Sequence, residues 1–353
     1  MDKQHLLDLA VEAARMAPSA DNSQPWQLRL LDQTVSVHHR PTAGTDLFGA
    51  NGHATLISIG SVAENLCQIL PESRASMTVC DLKGGAPYFS IPIPEHATEK
   101  FAKDFALFTR GTNRFPYAKT PPSAELLQAI SEQQEELLVR TQLLLAPDKR
   151  KAFSDIVETC CEARFCNREL HEWLMASLRF SKTDIDRGDG LALNTINLPP
   201  GGGLFMQWIR PWHRMNLLNK MGAFKLMAIN EAQLLRNAPL IIAILGEDSP
   251  NGAFAAGKLM ERVWIQLNQL GWAVHPYYVV TDQESRLQSR QLPGDWEKPL
   301  TEAINDARAL LCLKPGERLH MALRVGKPTK TPPRSLRLPV SQIFTSAEND
   351  RQS

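Results

Sequence analysis

Apolar positions recur along most of the chain at two spacings, and together these predict a mixture of helices and strands. Repeats every three to four residues predict helices at residues 3–17, 57–70, 123–138, 151–180 and 254–270. Short apolar runs between turn residues predict strands at 76–82, 237–246, 274–280 and 319–325. Residues 26–39 read as a β-hairpin that turns at Asp32 and Gln33.

One arrangement occurs twice. Residues 58–70 combine small residues with an apolar helical pattern, and a short strand pattern follows at 76–82. Residues 255–272 and 274–280 repeat this order. Many α/β segments share it, so the repeat suggests two related halves without establishing them.

Residues 194–213 break the pattern. The segment NTINLPPGGGLFMQWIRPWH is rich in Pro, Gly and Trp and follows no clear period. Long loops of this kind are often lids or disordered connectors. We favour a lid.

Composition narrows the function. The chain has 353 residues, 43% hydrophobic, which is enough for a large core. The net charge of +1 predicts neither a nucleic-acid nor a membrane partner. The N-terminus is too charged for a signal peptide, and the longest clean apolar run, 238–245, is far shorter than a membrane span. We therefore expect a cytoplasmic protein. The six cysteines form no CxxC pair, so we expect reduced, mostly buried thiols and no metal site.

The first chemical motif is APSADNSQPW at residues 17–26, between a predicted helix and a predicted strand. Two prolines stiffen this loop. Ser19, Asn22 and Gln24 offer short hydrogen-bonding groups that suit the edge of a planar polar heterocycle. In the simpler interpretation, Ser19 and Asn22 only cap the backbone of a turn.

The second motif is RGTNR. Arg110 and Arg114 are four residues apart with Thr112 between them, so the three could converge on a phosphate. Two solvated surface arginines are the alternative. Basic residues also lie along a Pro-rich tail near the end of the chain, and Arg334 and Arg337 are the last two of them. Taken alone, that tail reads as a solvated coil.

Together these motifs resemble those of the nitroreductase family of flavoenzymes, across roughly residues 5–340. APSADNSQPW is the specific match, and RGTNR and Gln269–Trp272 support it. The resemblance implies an α+β, nitroreductase-like fold that binds FMN. Family members are homodimers whose two flavin sites each draw on both subunits.

The order of the motifs differs from the family pattern, because RGTNR follows the APSADNSQPW loop instead of preceding it. The chain therefore resembles an intramolecular pseudo-dimer of two fused halves, similar to the Acg-like branch. The first half, 1–105, carries the loop. The second half, 106–345, carries RGTNR, the basic tail and the lid expected at 194–213. One complete flavin site is expected.

The resemblance also implies which residues would contact FMN. Arg110, Thr112 and Arg114 would bind the ribityl phosphate, and either Arg334 or Arg337 would close that end. Residues of the first loop would approach the ring: Pro18, Ser19, Ala20, Asn22 and Gln24. Backbone near Gly257 would lie on the ring's other side. The family's acidic-Gly loop is poorly matched by Ser249–Gly252. No catalytic side chain is nominated.

The function implied is an oxidoreductase that passes electrons from NAD(P)H through flavin to a small planar organic acceptor. A second reading is a flavin-sequestering protein with little or no turnover, its ring covered by the lid. A third is a helical interaction protein without a cofactor. We expect a monomer or a weak homodimer.

Overall fold

The computed structural model describes residues 3–41, 49–83, 87–95, 105–133 and 137–346. The helices in these ranges are α1 Lys3–Arg15, α2 His53–Ile69, α3 Ala106–Thr109, α4 Ala124–Ser131, α5 Pro147–Phe165, α6 Arg168–Ser177, α7 Lys182–Ile185, α8 Gly202–Trp208, α9 Trp212–Lys220, α10 Ala223–Arg236, α11 Pro250–Gln269, α12 Val279–Gln288, α13 Glu297–Leu310 and α14 Val340–Ile343. The strands are β1 Trp26–Leu31, β2 Thr34–His39, β3 Thr78–Val79, β4 Phe89–Pro92, β5 Tyr117–Ala118, β6 Val139–Leu144, β7 Leu178–Arg179, β8 Leu191–Ala192, β9 Leu240–Glu247, β10 Ala273–Tyr277, β11 Glu317–Pro328 and β12 Phe344–Ser346.

Two larger sheets have the same internal order. The first contains β1-β2-β4-β3 and the second contains β6-β9-β11-β10. In each set, counted along the chain, the strands lie in the order first, second, fourth, third, and every pairing within the set is antiparallel. The short strand β5 pairs with the end of β11, and β7 and β8 form a small parallel pair.

In each set, one buried helix connects the second strand to the third along the chain. These helices, α2 and α11, pack closely along each other. A Cβ atom on Gly60 would lie 2.0 Å from the carbonyl oxygen of Phe254, and one on Gly257 would lie 2.0 Å from that of Ile57. Only glycine allows the two backbones to approach this closely. The repeat noted in the sequence corresponds to α2–β3 and α11–β10.

The end of the chain returns to the first sheet. The strand β12 pairs parallel with β1, beside Leu28, Arg29 and Leu30. The basic tail before it crosses from the second half to the first and is anchored there. The coil predicted from its composition is confirmed for residues 331–339, which form no helix or strand, but several of its residues are held by hydrogen bonds to the first half.

Three apolar clusters support the fold. The largest surrounds α2 and α11 and reaches both sheets. A second packs α5, α12 and α13 against the second sheet. A third is small and is centred on Met175, Met206, Ile209 and Met215. It lies in residues 166–236, the segment from the end of α5 to the end of α10, which we call the lid segment.

The predicted helix at 151–180 is interrupted. It divides into α5 and α6 at Asn167, whose side chain accepts a hydrogen bond from the backbone N–H of Leu170 and so begins a new helix. The helix predicted at 123–138 ends at Ser131. Residues 194–213 were predicted as a long non-periodic loop, and this was wrong, because they contain α8 and the start of α9.

The other predicted elements are confirmed in type, but the strand predicted at 76–82 contains only β3, and the one predicted at 274–280 ends at Tyr277, before α12 begins at Val279. The hairpin turns at Asp32 and Gln33, with φ of 44° and 70°, the left-handed pair that a two-residue hairpin of this twist requires. No helix in the described ranges is long and apolar enough to cross a membrane. Within the same ranges, no group of three or more His, Cys, Asp or Glu side chains is placed to hold a metal ion.

Candidate functional site

A cavity of about 400 Å³ lies where the two halves meet. Its volume falls within the range of roughly 300–1,000 Å³ that is usual for small-molecule sites. The helix pair α2–α11 forms one wall through Ile57, Met260 and Trp264. The opposite wall belongs mostly to the lid segment. The tail before α14 closes one end.

Both sequence motifs lie on this cavity. Nine of the eleven residues predicted to bind flavin line its wall: Pro18, Ser19, Ala20, Asn22, Arg110, Thr112, Arg114, Arg334 and Arg337. The loop comes from the first half, and the arginines come from the second half and its tail. Segments far apart in sequence therefore meet at one place.

Two predicted residues are not on the wall. Gly257 was expected beside the ring, but it lies in the contact with α2, and Met260 and Trp264, one and two turns further along α11, line the cavity instead. Gln24 is fully buried behind the loop. Ser249–Gly252, the poor match to an acidic-Gly loop, forms the first turn of α11, with Ser249 as its N-cap.

The loop after α1 has unusual backbone geometry. Asp21, Asn22 and Gln24 have φ of 43°, 59° and 52°, in the left-handed region. Each such residue costs roughly 1–3 kcal/mol and persists only where its surroundings hold it. The Ser19 hydroxyl contributes by accepting a hydrogen bond of 2.9 Å from the backbone N–H of Gln24. Strain of this kind concentrates at ligand sites.

The amides of this loop hold two other segments. Asn22 donates to the carbonyl oxygens of Gly190, at 3.1 Å, and Leu336, at 2.9 Å. Gln24 donates to Gly188, at 3.0 Å, and accepts from the backbone N–H of Leu338. The sequence predicted that these amides bind the edge of a planar ring. In the structure their hydrogen bonds instead hold the lid segment and the tail against the first half.

Three arginines cluster at one end of the cavity. The Nε atom of Arg110 lies 2.8 Å from Glu261, and its guanidinium lies over the Trp264 ring at 4.4 Å. Arg334 donates to the carbonyl oxygen of Phe108 at 2.6 Å. Arg337 donates to the Asn22 side chain and to the Met16 carbonyl. In the described part of the chain, neither Arg334 nor Arg337 forms an ion pair with a carboxylate.

The charges in this cluster are unbalanced. Burial and the nearby Arg110 lower the pKa of Arg337 to about 9, with Arg334 acting in the same direction. The pKa of Arg334 is lowered by the same two effects. Burial raises the pKa of Glu261 to about 7, although Arg110 opposes this. A cluster whose cations destabilise one another is a site for an anion.

Arg114 has different surroundings from Arg110. Burial lowers its pKa, and Asp21 and Glu231 act in the opposite direction. Its positive charge is therefore matched by carboxylates. Thr112 lies between the two arginines, bridged by its backbone to Val274 of β10. Arg110, Thr112 and Arg114 all line the cavity, and whether they share one anion stays a prediction; the excess positive charge surrounds Arg110 and the two tail arginines.

Sequence reasoning missed a hydrogen-bonded chain beside the cavity. Tyr278 is on the wall, and its hydroxyl lies 3.0 Å from Nδ1 of His53. Nε2 of His53 lies 2.9 Å from Nδ1 of His320. Burial lowers the pKa of His53 well below its usual value and that of His320 to about 4, so both rings are neutral at pH 7. A neutral imidazole donates at one nitrogen and accepts at the other, so this chain can pass a proton.

Much of the remaining wall is apolar or aromatic, although Arg164, Thr195 and Asp282 also line it. The lid segment contributes Leu174, Leu198, Met206 and Met227. Together with Trp264 across the cavity, these side chains suit a flat, largely apolar ring. The site thus combines a cationic end with an apolar body.

The comparisons with known proteins are as follows. No protein-family model matches the chain, and no curated protein matches it. Among solved structures, a nitroreductase-like family protein from Bacillus cereus has a TM-score of 0.36 at 11% identity, covering 70% of this chain and 96% of its own. An FMN- and NADPH-dependent nitroreductase from sphigopyxis sp. strain HMH has a TM-score of 0.39 at 16% identity, covering 69% and 98%. A BluB-like flavoprotein from Clostridium difficile 630 has a TM-score of 0.39 at 11% identity, covering 70% and 99%. Similarity at this level assigns the chain to no family.

Proposed function

We propose that the cavity binds FMN and that the chain is a nitroreductase-like oxidoreductase, which passes electrons from NAD(P)H to a small planar organic acceptor. One observation carries this proposal: the APSADNSQPW loop of the first half and the RGTNR segment of the second half line the same cavity. Neither segment alone indicates a flavin. Their meeting is what a fused pair of nitroreductase-like subunits requires.

The pseudo-dimer is part of the proposal. The two sheets share one strand order, and each half contributes one central helix to the glycine contact. We propose that residues 1–105 and 106–345 correspond to the two subunits of a dimer. The loop motif occurs in the first half alone, which accounts for one flavin site in place of two.

The residues present fit the cofactor. Arg110, Arg334 and Arg337 would hold the phosphate, because they form a cluster with too little negative charge of its own. The apolar wall between Trp264 and Met206 would receive the ring. When bound, FMN supplies hydride transfer chemistry that no side chain here can provide.

The chain's own residues would orient the ligand and exclude water. The lid segment would cover the cavity and limit the entry of water. The Tyr278 hydroxyl would face a ligand in the cavity while hydrogen-bonded to His53, which His320 orients from behind. Asn22 would keep the lid segment and the tail in register over the site.

The flavin-sequestering alternative is favoured by the size of the cavity. At about 400 Å³ the cavity lies near the lower end of the usual range. One flavin nucleotide would fill most of it and leave little room for a nicotinamide to stack on the ring. In that case the lid segment would have to open before any turnover.

Anaerobic absorbance spectra of the purified protein, taken before and after NADPH and then NADH, test both functions. Flavin bands that bleach support the reductase. Flavin bands that persist support sequestration. A protein that shows no flavin bands after reconstitution with FMN refutes the central proposal. The matched pair R337A and R29A separates the arginine cluster from a general effect of charge, because Arg29 is exposed on β1.

A further inference from the structure

The outer side of the lid segment is unusually apolar. Half of the exposed large apolar side chains in the described residues lie on α8, on α10 and in or just after α9. They are Leu204, Phe205, Trp208, Leu217, Met221, Leu226 and Ile229. Leu204 and Met221 are 75% and 81% exposed. Apolar residues on a free surface at this density mark an interaction site.

These side chains are not needed for packing. On α8, Met206 lines the cavity, and Leu204 and Trp208 lie two residues to either side, about 200° around the helix from it. On α10, Met227 and Glu231 line the cavity, and Ile229 lies about 200° from each. The exposed apolar residues on these helices, which with those of α9 we call the outer lid face, thus point away from the site.

The charge is one-sided in the central part of this segment, residues 190–230. From Gly190 to Asn230 the sequence contains no Asp and no Glu, but it contains Arg210, Arg214, Lys220 and Lys225. Three of these are exposed, and Arg214 also lies over the Trp208 ring, 5.6 Å from its centroid. The whole-chain charge of +1 conceals this segment, and the prediction of no membrane partner rested on that whole-chain value.

We propose that the outer lid face docks onto a membrane surface that carries anionic lipids. Basic residues with exposed Trp, Phe and Leu on short helices are the combination that binds the headgroup region of a bilayer. Each Lys or Arg near an anionic surface strengthens binding about fivefold. No helix has to span the bilayer for this.

The charges also disfavour a second copy of the chain as the occupant. A two-fold contact would place this face against itself and bring like charges together. Nucleic acid would use the basic residues but would leave the exposed Leu and Met side chains unburied. An acidic protein partner remains an outcome of the test.

Sedimentation with vesicles tests the proposal on the full chain, with and without added FMN. We expect binding to phosphatidylcholine vesicles that contain phosphatidylserine and much weaker binding to phosphatidylcholine alone. The variant K220E/K225E should bind at least about tenfold more weakly, because two attractive charges become repulsive. The control K149E/K298E changes two exposed lysines outside the lid segment and should bind like the original chain.

A second variant tests the apolar contribution without changing charge. L204S/W208S should also reduce binding, and its circular dichroism should match that of the original chain because both side chains are exposed. Equal binding to neutral and anionic vesicles would overturn the proposal, as would K220E/K225E binding as well as K149E/K298E. No vesicle binding, with dimerisation that rises with protein concentration, would assign the face to a second copy. If the chain neither binds vesicles nor dimerises, the membrane proposal is overturned and an acidic protein becomes the expected partner of the outer lid face.

Discussion

The two halves share a strand order but differ at one connection. In the first half, β1 and β2 are joined by the two-residue turn at Asp32 and Gln33. In the second half, the equivalent strands β6 and β9 are joined by residues 145–239, which include the whole lid segment. Turns at the surface tolerate insertion because few backbone groups there need partners. The connecting segment carries its own apolar cluster and lines part of the cavity.

This difference gives the halves different tasks. The first half contributes a strained loop that fastens other segments. The second contributes the cover and the arginines. The loop, the arginines and the lid segment thus line the same cavity although they lie far apart in the sequence. The predictions below test that division.

The largest effect is expected from R337E. The change would place a carboxylate beside Glu261 and remove a cation from the cluster, so FMN affinity should fall by about 100-fold or more. Fluorescence titration of flavin measures it. R29E is the matched control and should keep the original affinity. Unchanged binding in R337E would show that the anion site lies elsewhere, for example at Arg114.

The next effect concerns the joint between the halves. In G60A the new Cβ atom would overlap the carbonyl oxygen of Phe254, so α2 and α11 must separate. We expect a loss of about 1–3 kcal/mol in the free energy of unfolding. Urea denaturation measures it. The control is G203A on α8, where the nearest atom is a flexible Leu193 side chain at 3.4 Å. Equal stability of the two variants would show that the glycine contact does not join the halves.

Stability should depend on the ionisation of Glu261. Its pKa is raised by burial from 4.5 to about 7, so the folded chain holds this proton more tightly than the unfolded chain. The stability contributed by the neutral form is fully present below about pH 4.5 and is lost as pH rises to about 7. Denaturation midpoints across this range should fall with pH, and E261Q should flatten the slope. An identical slope in E261Q would contradict the raised pKa.

The smallest effect is local. N22A removes the donor that holds the turn at Gly190 and the tail at Leu336, which should cost about 1–2 kcal/mol. Hydrogen exchange should quicken near residues 188–190 and 336–338 and stay unchanged in β9. N219A, which loses a single bond to the Phe165 carbonyl inside the lid segment, is the comparison. Uniform quickening across β9 in N22A would mean that the lid segment and the sheets unfold together.

The sequence predicted the regular elements because their signals are local. The hairpin, α2 and α11 follow apolar spacing that tertiary contacts reinforce. The break at Asn167 was missed because the helical period continues on both sides, although an Asn in N-cap position is a recognised signal. The helices α8 and α9 were missed because they are short and begin beside Gly and Pro residues.

The site was predicted in part, for a different reason. The motifs identified the loop and the arginines as site residues, but they did not predict the contacts that each residue makes. That Arg337 joins Arg110 depends on the return of the tail. The chain Tyr278–His53–His320 joins three distant elements and has no local signature. The positive charge of residues 190–230 was overlooked because only the net charge of the whole chain, +1, was considered.

The covalent link between the halves has a consequence for mass action. When two separate subunits build a site, dilution below their dissociation constant removes the site together with the dimer. Here the loop after α1 and the segment after α3 belong to one molecule, so no second-order assembly step precedes ligand binding. The dissociation constant for FMN should therefore not depend on the protein concentration. Such a chain would keep a working cavity when only a few copies are present.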